Sequence, residues 1–194
     1  MISVLRIITG KAKGKKIETL EGEATRPTSE RIKEALFSSI QFDIENRRVL
    51  DLFAGSGQLG LEALSRGASS VTFVDSSREA MEIVKRNARA TEFFDVSRYV
   101  VSDWRNYLRK ASGRDRYDLV FIDPPYSALC CADALVRLSD GDFLEKGAIV
   151  VTESGEENID PYAVSGFEVM KSTRYGKKTF LNVFIYRGEP NEEK

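Results

Sequence analysis

Apolar residues along this chain alternate between short unbroken runs and longer stretches in which they recur every third or fourth position. The runs predict strands over Val49–Phe53, Val71–Asp75, Val96–Val101, Leu119–Ile122 and Ala148–Thr152. The helical spacing predicts helices over Gln58–Arg66, Arg78–Ala90, a short one near Trp104–Lys110, and Leu129–Leu138. Upstream, a short N-terminal hairpin precedes a helix from about Ser29 to Ile40, capped by Thr28 and buried through Ile32, Ala35, Leu36 and Ile40. A closing antiparallel pair joins Glu168–Ser172 to Thr179–Tyr186. Strands separated by helices as far as residue 152 demand a doubly wound, mostly parallel α/β sheet. Within Gln58–Arg66, Leu59, Ala63 and Leu64 share one face, Glu62 and Ser65 turn away from it, and Gly67 ends the helix.

Two strand ends hold the candidate chemistry. Val49 to Gly60 join an apolar run to a G-x-G-x-x-G turn at Gly55, Gly57 and Gly60, and glycines there let the backbone approach a ligand closely. The next strand ends at Asp75, twenty positions beyond Gly55, where an acceptor for a pair of ribose hydroxyls is expected. That pattern alone fits a dinucleotide fold as well as any other adenosine-binding α/β fold. The second end is Leu119 to Tyr126, where an uncharged run delivers Asp123, Pro124, Pro125 and Tyr126. Proline cannot continue a central ladder, so Asp123 sits at a strand's C-terminal edge. Neither proline has an N–H, so the loop offers acceptors only, and an amino group on a flat ring suits it. Asp123 and the Pro124 carbonyl would take the two N–H bonds while Tyr126 stacks on the ring. A plain turn is the alternative reading of the proline pair.

Charge changes the picture next. The net charge is −1, yet Met1–Lys16 holds five basic side chains and no acidic one, and so does Lys171–Arg187. Two basic segments in an otherwise acidic chain suggest a phosphate-binding surface, against the alternative that Lys11–Lys16 is a solvated turn. The chain has no histidine, which removes Ser-His-Asp and Cys-His catalysis and most zinc hydrolase schemes. Adjacent Cys130 and Cys131 suit neither a disulfide framework nor a zinc site and read as helix residues. No apolar run approaches the roughly 20 residues of a membrane span, and the N-terminus lacks signal-peptide order, so residence in the cytoplasm is expected.

The glycine turn and the Asp-Pro-Pro-Tyr loop together resemble the class I S-adenosylmethionine-dependent methyltransferases that act on exocyclic amino groups of nucleobases. Arg6–Lys16, Thr25–Thr28 with Arg31, Ala35, Leu36 and Phe37, and Arg174-Tyr175-Gly176 extend the resemblance to the RsmD family over nearly the whole chain. Lys177-Lys178 depart from it, standing where an acidic residue is often found. The resemblance implies a seven-stranded, Rossmann-like methyltransferase sheet with an antiparallel C-terminal hairpin and a small N-terminal β-hairpin and helix extension. It divides the chain into an RNA-binding extension (1–45), a methyltransferase domain (46–188) and a disordered tail (189–194). It also implies methyl transfer to N2 of a guanine in 16S ribosomal RNA, free or in an assembling 30S particle, by a monomer that needs no metal.

For the donor it places Ala54, Gly55, Ser56 and Gly57 along the methionine, with Asp51 near its ammonium group. Asp75 takes the ribose, Asp103 and Trp104 the adenine, and Phe53 and Ser76 flank them. Asp51 could instead brace the turn, and Asp103 could be a helix N-cap. Asp123, Pro124, Pro125 and Tyr126 form the catalytic loop; Arg6, Lys11, Lys15, Arg26, Thr28, Arg31, Arg174 and Tyr175 form the RNA surface. A base presented this way must be unstacked or already exposed in a loop. Three rivals share some of these features: a DNA or other RNA amino-methyltransferase acting on adenine N6 or cytosine N4, an NAD-dependent oxidoreductase, and a non-catalytic RNA-binding protein on the same fold.

Overall fold

The computed structural model describes residues 5–20, 27–125, 130–155, 164–176 and 179–188, and at 27–30 the backbone only. The chain divides into two compact units, Met1–Trp104 and Arg105–Lys194.

In the first unit, α1 (Pro27–Ser39) precedes β1 (Arg48–Asp51), α2 (Gln58–Ser65), β2 (Ser70–Asp75), α3 (Arg78–Ala90), a 3-10 turn and β3 (Ser97–Val101). β1 and β3 both pair with β2 in parallel, as strand-helix-strand crossovers require. The core of this unit lies where α2 and α3 meet the strands, and α1 adds a buried apolar face of its own. Ile32, Leu36, Phe37 and Ile40 of α1 are buried, as are Leu61 and Ala63 of α2 and Met81 and Val84 of α3. α1 begins at Pro27, so Thr28 stands inside its first turn rather than before it. A proline's fixed φ and missing N–H suit the first helical position, which moves the start upstream of the expected cap.

The second unit contains α4 (Trp104–Ala111, whose first residue belongs to the first unit), β4 (Tyr117–Ile122), α5 (Cys131–Asp140), β5 (Leu144–Ser154), β6 (Phe167–Tyr175) and β7 (Thr179–Tyr186). β4 and β5 are parallel, whereas β7 runs antiparallel to both β5 and β6. The strand order is β3-β2-β1 in the first unit and β4-β5-β7-β6 in the second, the seven strands of the mixed sheet expected from the sequence. Cys130 precedes α5 and Cys131 opens it; both side chains are buried.

The N-terminal hairpin is reduced to one bridge, Arg6 opposite Lys16, supported by Ile7 N–H on the Lys15 carbonyl and Ile17 N–H on the Leu5 carbonyl. Its remaining donors turn to α2. The Glu62 carboxylate accepts Ile8 N–H at 2.7 Å and Thr9 N–H at 3.1 Å, and Ser65 Oγ accepts Ala12 N–H at 3.0 Å. Glu62 and Ser65 are therefore buried, at 0% and 2% exposure, not solvated as their place opposite the apolar stripe suggested. The N-terminal arm covers that second face of α2. Among the described residues, no helix is long and apolar enough to cross a membrane.

Candidate functional site

β1 ends at Asp51 because the chain then turns back toward β2: Ala54 N–H donates to the Val74 carbonyl at 2.9 Å, and Gly57 N–H closes the turn on the Ala54 carbonyl. The turn uses positive φ at Gly55 (52°) and Gly57 (82°), which glycine adopts without Cβ strain. Gly60 serves a different purpose. A Cβ there would lie 2.3 Å from Phe73 Cε1, so the missing side chain lets α2 lie against β2.

Two carboxylates fix this turn. Asp75, half-buried at the end of β2, accepts Gly55 N–H through one oxygen at 2.9 Å and Ser77 N–H through the other at 2.8 Å. Asp51, 2% exposed, accepts Gly60 N–H at 3.0 Å. Of the two roles weighed for Asp51, this geometry is that of a brace for the glycine turn. Burial pushes its carboxyl up to about 7; the Gly60 N–H opposes that and the nearby Asp75 charge adds to it.

The raised value has a consequence for stability. A carboxyl that holds its proton more tightly when folded contributes stability below its unfolded value, and that contribution is lost as pH rises through the folded one. Asp51→Asn, which stays neutral and keeps an acceptor for Gly60, should therefore gain stability relative to the parent between about pH 4 and pH 7. Each unit of difference is worth about 1.4 kcal/mol, so the gain should reach a few kcal/mol in urea titrations across that range. A difference that does not vary with pH would mean that Asp51 ionises normally.

Around the turn, Ser56 is 2% exposed and its Oγ has no hydrogen-bond partner among the described residues. A buried, unsatisfied hydroxyl is uncommon and points to a missing polar group. Phe53 packs on Trp104 with ring centroids 5.9 Å apart, and Trp104 is 7% exposed, so its ring is largely buried. Asp103 is exposed and directly precedes α4, a position open to both the N-cap and the adenine role. Ser76 is exposed beyond Asp75. The first unit thus gathers Asp51, Phe53, Ala54–Gly57, Asp75 and Trp104.

In the second unit the buried strand β4 delivers Asp123 at its C-terminal edge, half-buried, followed by buried Pro124 and exposed Pro125. Tyr126 lies outside the described residues, as do Arg26, Lys177, Lys178 and the 189–194 tail. Arg174 and Tyr175 end β6, with the Arg174 guanidinium 5.6 Å from the Phe180 ring centroid. Arg6, Lys11 and Arg31 are exposed. Lys15 pairs with Glu92 at 2.7 Å, an exposed contact that a phosphate can replace at little cost.

Sequence reasoning missed Asn87 entirely. It is 1% exposed, donating through Nδ2 to the Ser56 carbonyl at 2.8 Å and to the Glu18 carbonyl at 3.0 Å. Its Oδ1 accepts Glu18 N–H at 2.9 Å. The available signal was its spacing: Asn87 continues the buried Ala80–Val84 row of α3, a polar residue in an apolar stripe.

A family model, Conserved hypothetical protein 95, matches residues 5–184. Ribosomal RNA small subunit methyltransferase D of Escherichia coli K12 is 34% identical over 189 residues, 97% of this chain and 92% of that one. The chain belongs to the RsmD family. The protein of the same name from Haemophilus influenzae is 32% identical over 154 residues, covering 79% of this chain and 80% of the other. A solved Escherichia coli structure, yhhF, named as a methyltransferase, is 29% identical and superposes with a TM-score of 0.82 over 96% of this chain and 100% of that one. The RsmD resemblance and the Rossmann-like methyltransferase fold read from the sequence are both borne out.

Proposed function

We propose that this RsmD-family chain transfers a methyl group from S-adenosylmethionine to the exocyclic N2 amino group of a guanine in 16S ribosomal RNA. Family membership supports an rRNA methyltransferase of the small subunit. The observation that carries the donor site is the unsatisfied, buried Ser56 hydroxyl inside a glycine turn whose neighbouring acidic residue is Asp75. An orphaned polar atom beside a backbone cradle fits a donor with a charged amino acid end and a ribose. Ala54–Gly57 would hold the amino acid end. Asp75 would hold the ribose hydroxyls, since a carboxylate that already accepts two N–H groups has further lone pairs to offer. Asp103 would take the adenine amino group. Asp51, buried with one oxygen on the Gly60 N–H, would act by keeping the turn in shape.

The donor supplies a methyl group already activated by its positive sulfur, so the protein's task is alignment and charge stabilisation. On the acceptor side, the guanine amino lone pair is delocalised into the ring and is a poor nucleophile until the nitrogen becomes tetrahedral. Asp123 and the Pro124 carbonyl accept its two hydrogens and favour that change, while Tyr126 stacks on the ring. The surplus proton leaves through Asp123 or water. Arg6, Lys11, Lys15, Arg26, Thr28, Arg31, Arg174 and Tyr175 contact or organise the RNA, on free 16S RNA or a 30S particle in the cytoplasm, with the protein acting as a monomer.

Calorimetric titration separates this reading from the oxidoreductase one. Saturable binding of S-adenosylhomocysteine, the demethylated donor, is expected, with no binding of NADH. The opposite pair of results would overturn it.

A further inference from the structure

The N-terminal arm and the glycine turn are far apart in sequence, yet one buried side chain holds both. The Asn87 amide spans the main chain of Glu18, taking its N–H and its carbonyl, and reaches with its other N–H to the carbonyl of Ser56. Every hydrogen-bonding arm of the carboxamide used here is committed, and the residue is 1% exposed. Glu18 lies two positions beyond the basic stretch Lys11–Lys16, and Ser56 carries the unsatisfied hydroxyl of the proposed donor turn. Exposed ion pairs, Lys15 with Glu92 and Arg86 with Glu18, hold the arm on the same helix and its end, but solvent makes them weak. The amide is the dry connection. When the arm shifts at Glu18, either Ser56 follows or a buried polar group loses its partners, which is costly inside a protein.

We propose that Asn87 is a positioning residue that couples RNA occupancy of the N-terminal arm to donor affinity at the glycine turn. It touches neither RNA nor donor. RNA held on the arm favours the arm geometry in which Asn87 keeps all three bonds, and that geometry fixes the Ser56 carbonyl and the peptide leading to Gly57. Donor binding then meets a turn already in place, and by linkage the donor tightens RNA binding by the same factor. This inference rests on the reading under "Proposed function".

The test measures the affinity of labelled S-adenosylhomocysteine by equilibrium dialysis, with and without small-subunit particles purified from cells lacking this protein. The parent protein should bind it about fivefold or more tightly when particles are present, and should bind particles more tightly by the same factor when it is saturated with S-adenosylhomocysteine. Asn87→Ala should bring the ratio close to one. Asn87→Asp, which keeps the acceptor for Glu18 N–H but loses both N–H donors, to the Ser56 and the Glu18 carbonyls, should do the same and serves if the alanine variant does not fold. Equal affinity with and without particles in the parent would overturn the proposal. So would folded variants that bind more weakly in both conditions with the ratio preserved, the result of a merely structural role. Absence of any S-adenosylhomocysteine binding by the parent would instead overturn the proposed donor.

Discussion

Asp123→Ala should lower the single-turnover rate of methyl transfer by about 10²-fold to 10³-fold, the usual cost of removing one positioned electrostatic group. The expectation follows from where the residue stands. β4 is buried along most of its length, so Asp123 leaves a rigid support at the strand's edge, and the two prolines after it offer no N–H to compete for its oxygens. On the proposed reading, a carboxylate placed there serves the amino group and not the donor. Affinity for S-adenosylhomocysteine should therefore stay within about twofold of the parent while the chemical step slows, a split that distinguishes loss of a positioning group from loss of donor binding. Unfolding in urea should be little changed, because a half-buried side chain at a strand end supports little packing. Rapid-quench measurement with saturating labelled donor reads the rate directly. An unchanged rate would remove Asp123 from the chemistry.

Glu62→Ala should cost about 3–5 kcal/mol of stability, the range seen when one partner is taken from a buried ion pair. Glu62 is fully buried, with Arg66 Nε at 2.8 Å and Lys33 Nζ at 3.4 Å, and Lys33 itself is only 4% exposed. The same carboxylate accepts the Ile8 and Thr9 N–H groups, so alanine leaves buried donors facing an apolar methyl. Two effects should appear together. The urea midpoint should fall, and protease sites in the N-terminal arm should become accessible at urea concentrations at which α2 and the parallel strands remain folded. Glu62→Gln keeps acceptor capacity but loses the charge, and should recover part of the lost stability. A loss under about 1 kcal/mol for the alanine variant would mean that the arm is held by its apolar residues, Leu5, Ile7, Ala12 and Ile17, and not by this cluster.

The parts of the fold legible in the sequence were those that bury a regular pattern. α3 runs over the residues its spacing predicts, Arg78–Ala90; β2 ends at Asp75, and β4 ends at Ile122, directly before Asp123. Boundaries failed where backbone geometry overrode side-chain pattern. β5 begins at Leu144, earlier than Ala148, because Leu144 already pairs with Tyr117; a register shift, with Gly147 at φ 87°, separates that pair from Leu119 and Ile149, and it is there that the apolar run is broken. β1 stops at Asp51 because the next residues spend their hydrogen bonds on the turn toward β2.

The candidate site was legible in its acceptors and hidden in its supports. Asp75 and the glycines announce themselves by spacing, and Asp123 by the prolines behind it. Glu62, Ser65 and Asn87 do not, because each is a polar residue made interior by a segment distant in sequence. The periodicity of a helix says which face meets the sheet, but not that an arm will cover the other. Asp51 illustrates the middle case: its place at the strand end was clear, while its choice between donor and turn depended on the Gly60 N–H 3.0 Å away.

The most direct test of methyl transfer to guanine N2 is base mapping. Small-subunit particles and 16S ribosomal RNA from cells lacking this protein would be incubated with it and methyl-labelled S-adenosylmethionine, and the labelled nucleoside located by nuclease digestion and mass spectrometry. A single N2-methylguanine is predicted, formed about 10²-fold to 10³-fold more slowly with Asp123→Ala. Label on adenine N6 or cytosine N4, or no label in either RNA or particle, would contradict the account.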